Sequence, residues 1–194
     1  MSISLQDKDT LNLSENTPGL RKVIVGAGWD LDQLEGRQPM DVDLTCFLLD
    51  VNEQTREDED FVFYNNLEAA EGAVVHKGDN RTGSGEGDDE IIFIDLAATP
   101  MNVARITFVA SIYEGPENGY EFSQVKNAYI RIYDEDTKAE LARYNLSRDF
   151  PGEQAIIFGS LIRMGDKWEF ETLGEPASGG LSAIAKQYGL MIAE

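Results

Sequence analysis

Residues 78–90 read GDNRTGSGEGDDE, and the apolar run IIFIDL follows at once. The acidic stretch carries carboxylates at Asp79, Glu86, Asp88, Asp89 and Glu90, an amide at Asn80 and a hydroxyl at Thr82, with glycines at 78, 83, 85 and 87 between them. Such a segment resists folding by itself. Two carboxylates about 5 Å apart repel by roughly 3 kcal/mol at an effective dielectric near 20, and each glycine costs backbone entropy when it is ordered. The β-branched run that follows reads as a buried strand. A buried strand fixes the last carboxylates in space, which a solvated acidic linker, the competing reading, does not need. The compensation expected is a hard divalent cation. Ca²⁺ takes about 6–8 oxygens from carboxylates, amides, carbonyls and water, and glycine lets the backbone turn its carbonyls inward.

Other readings of the stretch fail on chemistry. Gly78 and Gly83 have the spacing of a phosphate loop, but Ser84-Gly85 stands where Lys-Ser/Thr is required. Gly83, Gly85 and Gly87 do not make the dinucleotide fingerprint. A wall of carboxylates also repels phosphate. Counted as an EF-hand from Asp79, the loop ends on Glu90, but Arg81 and Ser84 occupy positions that need an oxygen ligand and a glycine.

The net charge of −20 argues against nucleic acid, whose phosphates demand Lys and Arg. It favours cations or basic partners. The 194 residues suit one domain, 1–194, with a sizeable core. A single cysteine, Cys46, forms no internal disulfide and fits a reducing compartment. The first residues lack the basic start and apolar core of a signal peptide. No apolar run approaches the roughly 20 residues that span a bilayer. A cytoplasmic location is expected.

Strand periodicity over Asp41–Leu49 places Asp41, Asp43 and Thr45 on one face and Val42, Leu44, Cys46 and Leu48 on the other. Phe47 and Leu49 continue the first face, so an acidic pair stands at one end of a sheet. Residues 50–60 read as a solvated, charged hairpin connection, and 61–64 as a strand ending at Asn65-Asn66, which suit a turn. Residues 3–13 read as a first strand or hairpin, 23–29 as a strand and 30–39 as a polar loop. Residues 91–96 and 104–113 read as strands with loop 114–119 after them, and 122–125 as one turn of helix. Pairs 128–133 with 140–146 and 155–163 with 167–173 read as hairpins. Leu181, Ile184, Ala185 and Tyr188 recur at helical spacing, with Gly189 as a cap beyond. About ten short strands predict an all-β fold, an antiparallel β-sandwich with a short C-terminal helix.

No catalytic arrangement is readable. His76, the only histidine, is a weak metal-ligand candidate and is read as a surface residue. Cys46 lies on an apolar strand face, where a thiol is buried and inert. Carboxylates clustered in one glycine-rich loop suit an ion better than a glycosidic bond. Trp29 and Trp168 read as core residues.

The motifs PGLRKVIVGAGWD (18–30), FVFYNNL (61–67), GDNRTGSGEGDDE (78–90), ARYNL (142–146), IIFGSLIR (156–163) and GGL (179–181) together resemble the TerD family of tellurite-resistance and general-stress proteins, over nearly the whole chain. The resemblance implies a β-sandwich binding two adjacent Ca²⁺ ions, in the cytoplasm or against the inner membrane, with other tellurite-resistance proteins as partners and no established enzymatic activity. Its ligands fall here on Asp79, Asn80, Thr82, Gly83, Glu86, Gly87, Asp88, Asp89 and Glu90, with Asp41, Asp43 and Asn65 matching an acidic pair and an asparagine of the family. Relatives usually carry an acid where Ser84 stands and Asp where Glu86 stands, which weakens at least one site unless another oxygen substitutes. The function expected is that of a non-enzymatic calcium-binding stress protein. The alternative is a calcium-dependent membrane-surface or partner-binding module. On this reading Asp88 matters more to calcium than Asp58.

Overall fold

A computed structural model describes residues 2–31, 40–78, 87–146 and 149–191. In chain order the strands are β1 (Ile3–Leu5), β2 (Thr10–Asn12), β3 (Lys22–Leu31), β4 (Val42–Leu49), β5 (Phe61–Val62), β6 (Glu68–Ala69) and β7 (Val74–His76). Then come β8 (Glu90–Asp95), β9 (Arg105–Ile112), β10 (Val125–Asp134), β11 (Glu140–Asn145), β12 (Ala155–Met164) and β13 (Lys167–Pro176). Helices are brief: α1 (Leu13–Asn16), α2 (Gly115–Asn118) and α3 (Gly180–Gln187). Among the described residues no helix is long and apolar enough to cross a membrane.

The strands form two sheets, β1-β11-β10-β3-β8-β7-β6 and β2-β13-β12-β9-β4-β5. Strand alternation explains how they face each other. Val23, Val25 and Ala27 of β3, Ile92 and Ile94 of β8, and Ile130 and Ile132 of β10 point inward from the first sheet. Val42, Leu44, Cys46 and Leu48 of β4 meet them from the second, with Ile106, Phe108 and Ala110 of β9. A second apolar cluster lies outside the second sheet, where Phe47, Leu49 and Val109 pack under Ile184, Ala185 and Tyr188 of the α3 end. Both faces of β4 are therefore buried, as its sequence pattern requires.

The β-sandwich with a terminal helix is the expected fold. Trp29 and Trp168 are core residues. Five local expectations are corrected. Residues 3–13 form no hairpin: β1 joins β11 in one sheet and β2 joins β13 in the other, so the N-terminal segment crosses the sandwich. The β1–β11 pair is parallel. The described strands number thirteen, because short edge strands carry too little alternation to be read. The connection 50–60 is not wholly solvated. Asp60 is fully buried, and Arg56 holds it through Nε at 2.9 Å and Nη2 at 2.6 Å. Loop 30–39 begins later than expected, since Asp30 and Leu31 complete β3; residues 32–39 lie outside the described residues.

Candidate functional site

The site begins with an unfinished sheet edge. β5 pairs with β4 only at Cys46 and Phe47. The chain then turns at Phe63–Asn66, where Asn66 Nδ2 donates to the carbonyls of Glu59 and Phe61 at 3.0 and 2.8 Å. Leu44, the next position along that edge, thus receives no strand. Its backbone groups are inside the sandwich and must still be satisfied. Two side chains from the opposite sheet do this. Glu90 Oε2 accepts the Leu44 N–H at 2.5 Å, and His76 Nε2 donates to the Leu44 carbonyl at 3.0 Å.

Both groups flank the acidic stretch. β7 and β8 are antiparallel neighbours, and residues 77–89 connect them. Upstream, the Gly78 N–H donates to His76 Nδ1 at 3.2 Å, and the Lys77 N–H to the Ile91 carbonyl at 2.8 Å. This leaves Nδ1 an acceptor and places the proton on Nε2. Downstream, Glu90 opens β8. The acidic connection is thus pinned at both ends against β4. His76 is buried, not a surface residue. Burial pushes its pKa down, but the Glu90 carboxylate beside it, the Leu44 carbonyl and the charge of Asp43 outweigh this and hold it above the ordinary value.

Glu90 is 1% exposed. Its Oε1 is buried, and no donor among the described residues reaches it. Asp43, one residue from Leu44, is also buried. Asp41 is half-buried, and its carbonyl accepts the Tyr113 N–H at 2.9 Å. The structure therefore places Glu90 and His76 on the inner face at one end of β4, with Asp43 on the outer face at the same end and Asp41 just beyond. Among the described residues, no three His, Cys, Asp or Glu side chains converge closely enough to hold a metal ion by themselves.

Other expected ligands go elsewhere. Asp88 lies only two residues before Glu90, yet its carboxylate sits on the outer face of the first sheet. There Arg131 Nε and Nη2 reach it at 2.7 and 2.9 Å and the Tyr129 hydroxyl at 3.0 Å. Gly26 of β3 makes room beneath, because a side chain there would run into the Asp88 carboxylate. The Gly87 carbonyl accepts from the Tyr129 hydroxyl at 2.9 Å. Asp89 Oδ2 accepts the Trp29 N–H at 2.8 Å. Burial raises the Asp89 pKa, the Trp29 N–H opposes this, and the charges of Asp30 and Asp88 add to it. Asn65 is exposed at the turn. Asp79, Asn80, Thr82, Gly83 and Glu86 lie outside the described residues.

Cys46 is fully buried, and its thiol is pushed far up by burial and by the charge of Asp60, which leaves it no nucleophilic role. Sequence reasoning missed the anchoring role of His76, although its two-residue offset from Val74 already puts it on the inward face of a strand. It also missed a run of rings. Phe61 stacks on Phe63 at 4.3 Å, Phe63 meets Tyr64 edge-on at 5.2 Å, and Tyr64 meets Tyr113 edge-on at 5.9 Å. The three closely spaced aromatics of FVFY were the signal.

Residues 1–188 match the model of the TerD domain. The chain belongs to the TerD family. It is 45% identical to general stress protein 16U of Bacillus subtilis, over 99% of this chain and all of that one. It is 43% identical to tellurium resistance protein TerD of Serratia marcescens, over 98% of each. A crystal structure of a TerD homologue from Streptomyces coelicolor A3(2) superimposes with a TM-score of 0.69, at 21% identity, over 86% of this chain and 96% of the other. That structure shares the TerD fold seen here. The chain is thus a member of a tellurite-resistance and stress-response family.

Proposed function

We propose that this TerD-family protein is a non-enzymatic calcium-binding stress protein, in which Ca²⁺ secures the acidic connection between β7 and β8 against the end of β4. One observation carries the reading: the inward carboxylate of Glu90, with one oxygen committed to the Leu44 amide and the other buried without a donor among the described residues. A buried carboxylate oxygen is costly unless a charge or donor meets it. Asp43 stands at the same end of β4, on its outer face, and the acidic stretch enters there too. These are hard oxygen donors of the kind Ca²⁺ selects. Glu90 and Asp43 would hold the ion, with Asp41 and oxygens of the connection completing its shell. His76 would keep Glu90 and Gly78 in place. The ion supplies positive charge that lets these carboxylates crowd together, and the ordered connection then offers a surface to partners.

Calorimetric titration of the EGTA-treated protein with CaCl₂ tests this. Uptake of calcium is expected. Glu90→Gln and Asp43→Asn should each weaken it at least tenfold, while Asp58→Asn leaves it unchanged. A chain that takes up no calcium, or variants that bind as wild type, would overturn the reading.

A further inference from the structure

On the outer face of the second sheet, beside Asp43, lies a cleft of about 590 Å³. This is within the range of small-molecule sites. Phe61, Phe63, Tyr64 and Tyr113 line it, together with Asp43 and Glu114. The Glu114 side chain hydrogen-bonds the Tyr113 hydroxyl, and the charge of Asp43 reaches the same ring. The described lining residues include no Lys, Arg or His. Tyr64 and Tyr113 stand at 89° to each other, so their rings form a corner. Ring faces carry partial negative charge and attract cations. The protein covers other rings with its own cations: Arg143 lies 4.1 Å over Tyr129 and Arg163 4.4 Å over Trp168.

Glu114 is held at the rim at some cost. Its φ of 48° is left-handed, which a non-glycine residue adopts only when its surroundings enforce it. Here Asn118 enforces it, donating its backbone N–H and Nδ2 to the Glu114 carbonyl at 3.1 and 2.9 Å. The Tyr113 N–H is tied to Asp41 next door. Tyr113 itself is 46% exposed, a large ring left at the surface of the cleft.

We propose that this cleft binds a small organic ammonium ion, seated in the Tyr64–Tyr113 corner with its charge toward Glu114 and Asp43. An anion would be repelled by both carboxylates, and a neutral apolar molecule would desolvate them without return. The inference goes beyond calcium binding and shares only Asp43 with it.

The test is calorimetric titration in EGTA with choline chloride and, in parallel, with dimethylbutanol, in which a tert-butyl group replaces the trimethylammonium. Working in EGTA makes the outcome independent of calcium. Choline should bind, and the alcohol should bind at least tenfold more weakly. Tyr113→Ala should weaken choline about tenfold, Tyr113→Phe should restore it, and Glu114→Gln should weaken it severalfold. Tyr113 is half exposed, so its removal leaves the core intact; an unchanged melting temperature confirms this, and Glu114→Gln gives a second readout. Failure of choline to bind, equal binding of the alcohol, or indifference to Tyr113→Ala and Glu114→Gln would overturn the proposal.

Discussion

Asp88 and Glu90 show how much a single carboxylate's surroundings decide its role. The Asp88 side chain is 2% exposed and faces Arg131, whose side chain is 26% exposed. That contact, and a hydrogen bond to Glu140, hold the Arg131 pKa far above its ordinary value even though burial opposes it. Removing the guanidinium leaves a buried carboxylate whose remaining side-chain donor among the described residues is Tyr129. Arg131→Ala should therefore destabilise the protein by about 2–3 kcal/mol, measured by urea unfolding. Adding Asp88→Asn to that variant should recover part of the loss, because the stranded charge disappears. An Arg131→Ala protein as stable as wild type would show the pair to be a mere surface contact. The family resemblance implies Asp88 as a calcium ligand. The geometry gives its side chain to the outer face, so Glu90→Gln should cost more calcium affinity than Asp88→Asn.

At the scale of strands, Glu140 fastens one edge of the first sheet. It accepts from Ser2 Oγ at 2.6 Å, from Arg131 of β10 at 3.1 Å and from Arg143 of β11 at 3.4 Å. Partial burial pushes its pKa up, but these three donors outweigh burial and hold it below the ordinary value. A depressed carboxylate adds stability above its unfolded pKa of about 4.3 and loses it as pH falls through the lower folded value. Stability should thus decline below about pH 5, and Glu140→Gln should make that decline shallower; an identical acid profile for the two proteins would contradict this. How much of such detail is legible depends on the element. The alternation of β4 gave both of its faces, and IIFIDL gave β8, because long periodic runs carry their own register. The crossing of β1 and β2 was illegible, since three residues cannot state which sheet they join. Asp60 looks solvated in the sequence because its partner, Arg56, sits in the same charged run and only the turn brings them together. Asp88 and Glu90 share strand parity, yet a bend before β8 sends them to opposite faces. The site's corner at Leu44 depends on β5 being two residues long, which no local pattern announces.

Across the whole molecule, the charge of −20 sets a question that the site alone does not. Any cation relieves the self-repulsion of so acidic a chain, and screening by ordinary salt extends over about 10 Å at 0.1 M. A rise in melting temperature with calcium is thus insufficient by itself to reveal a site. The two effects separate by magnitude and concentration. Screening depends on ionic strength and accumulates gradually. An ion bound only by the folded state adds RT ln(1 + [L]/Kd), about 2.7 kcal/mol at a hundredfold excess over Kd, at concentrations too low to alter screening. After EGTA treatment, CaCl₂ should therefore raise the melting temperature well above the rise produced by NaCl at equal ionic strength, and Glu90→Gln should remove that excess while keeping the common salt response. Equal shifts for the two salts would reduce calcium to a counter-ion and leave the buried Glu90 oxygen to be satisfied by the acidic connection itself.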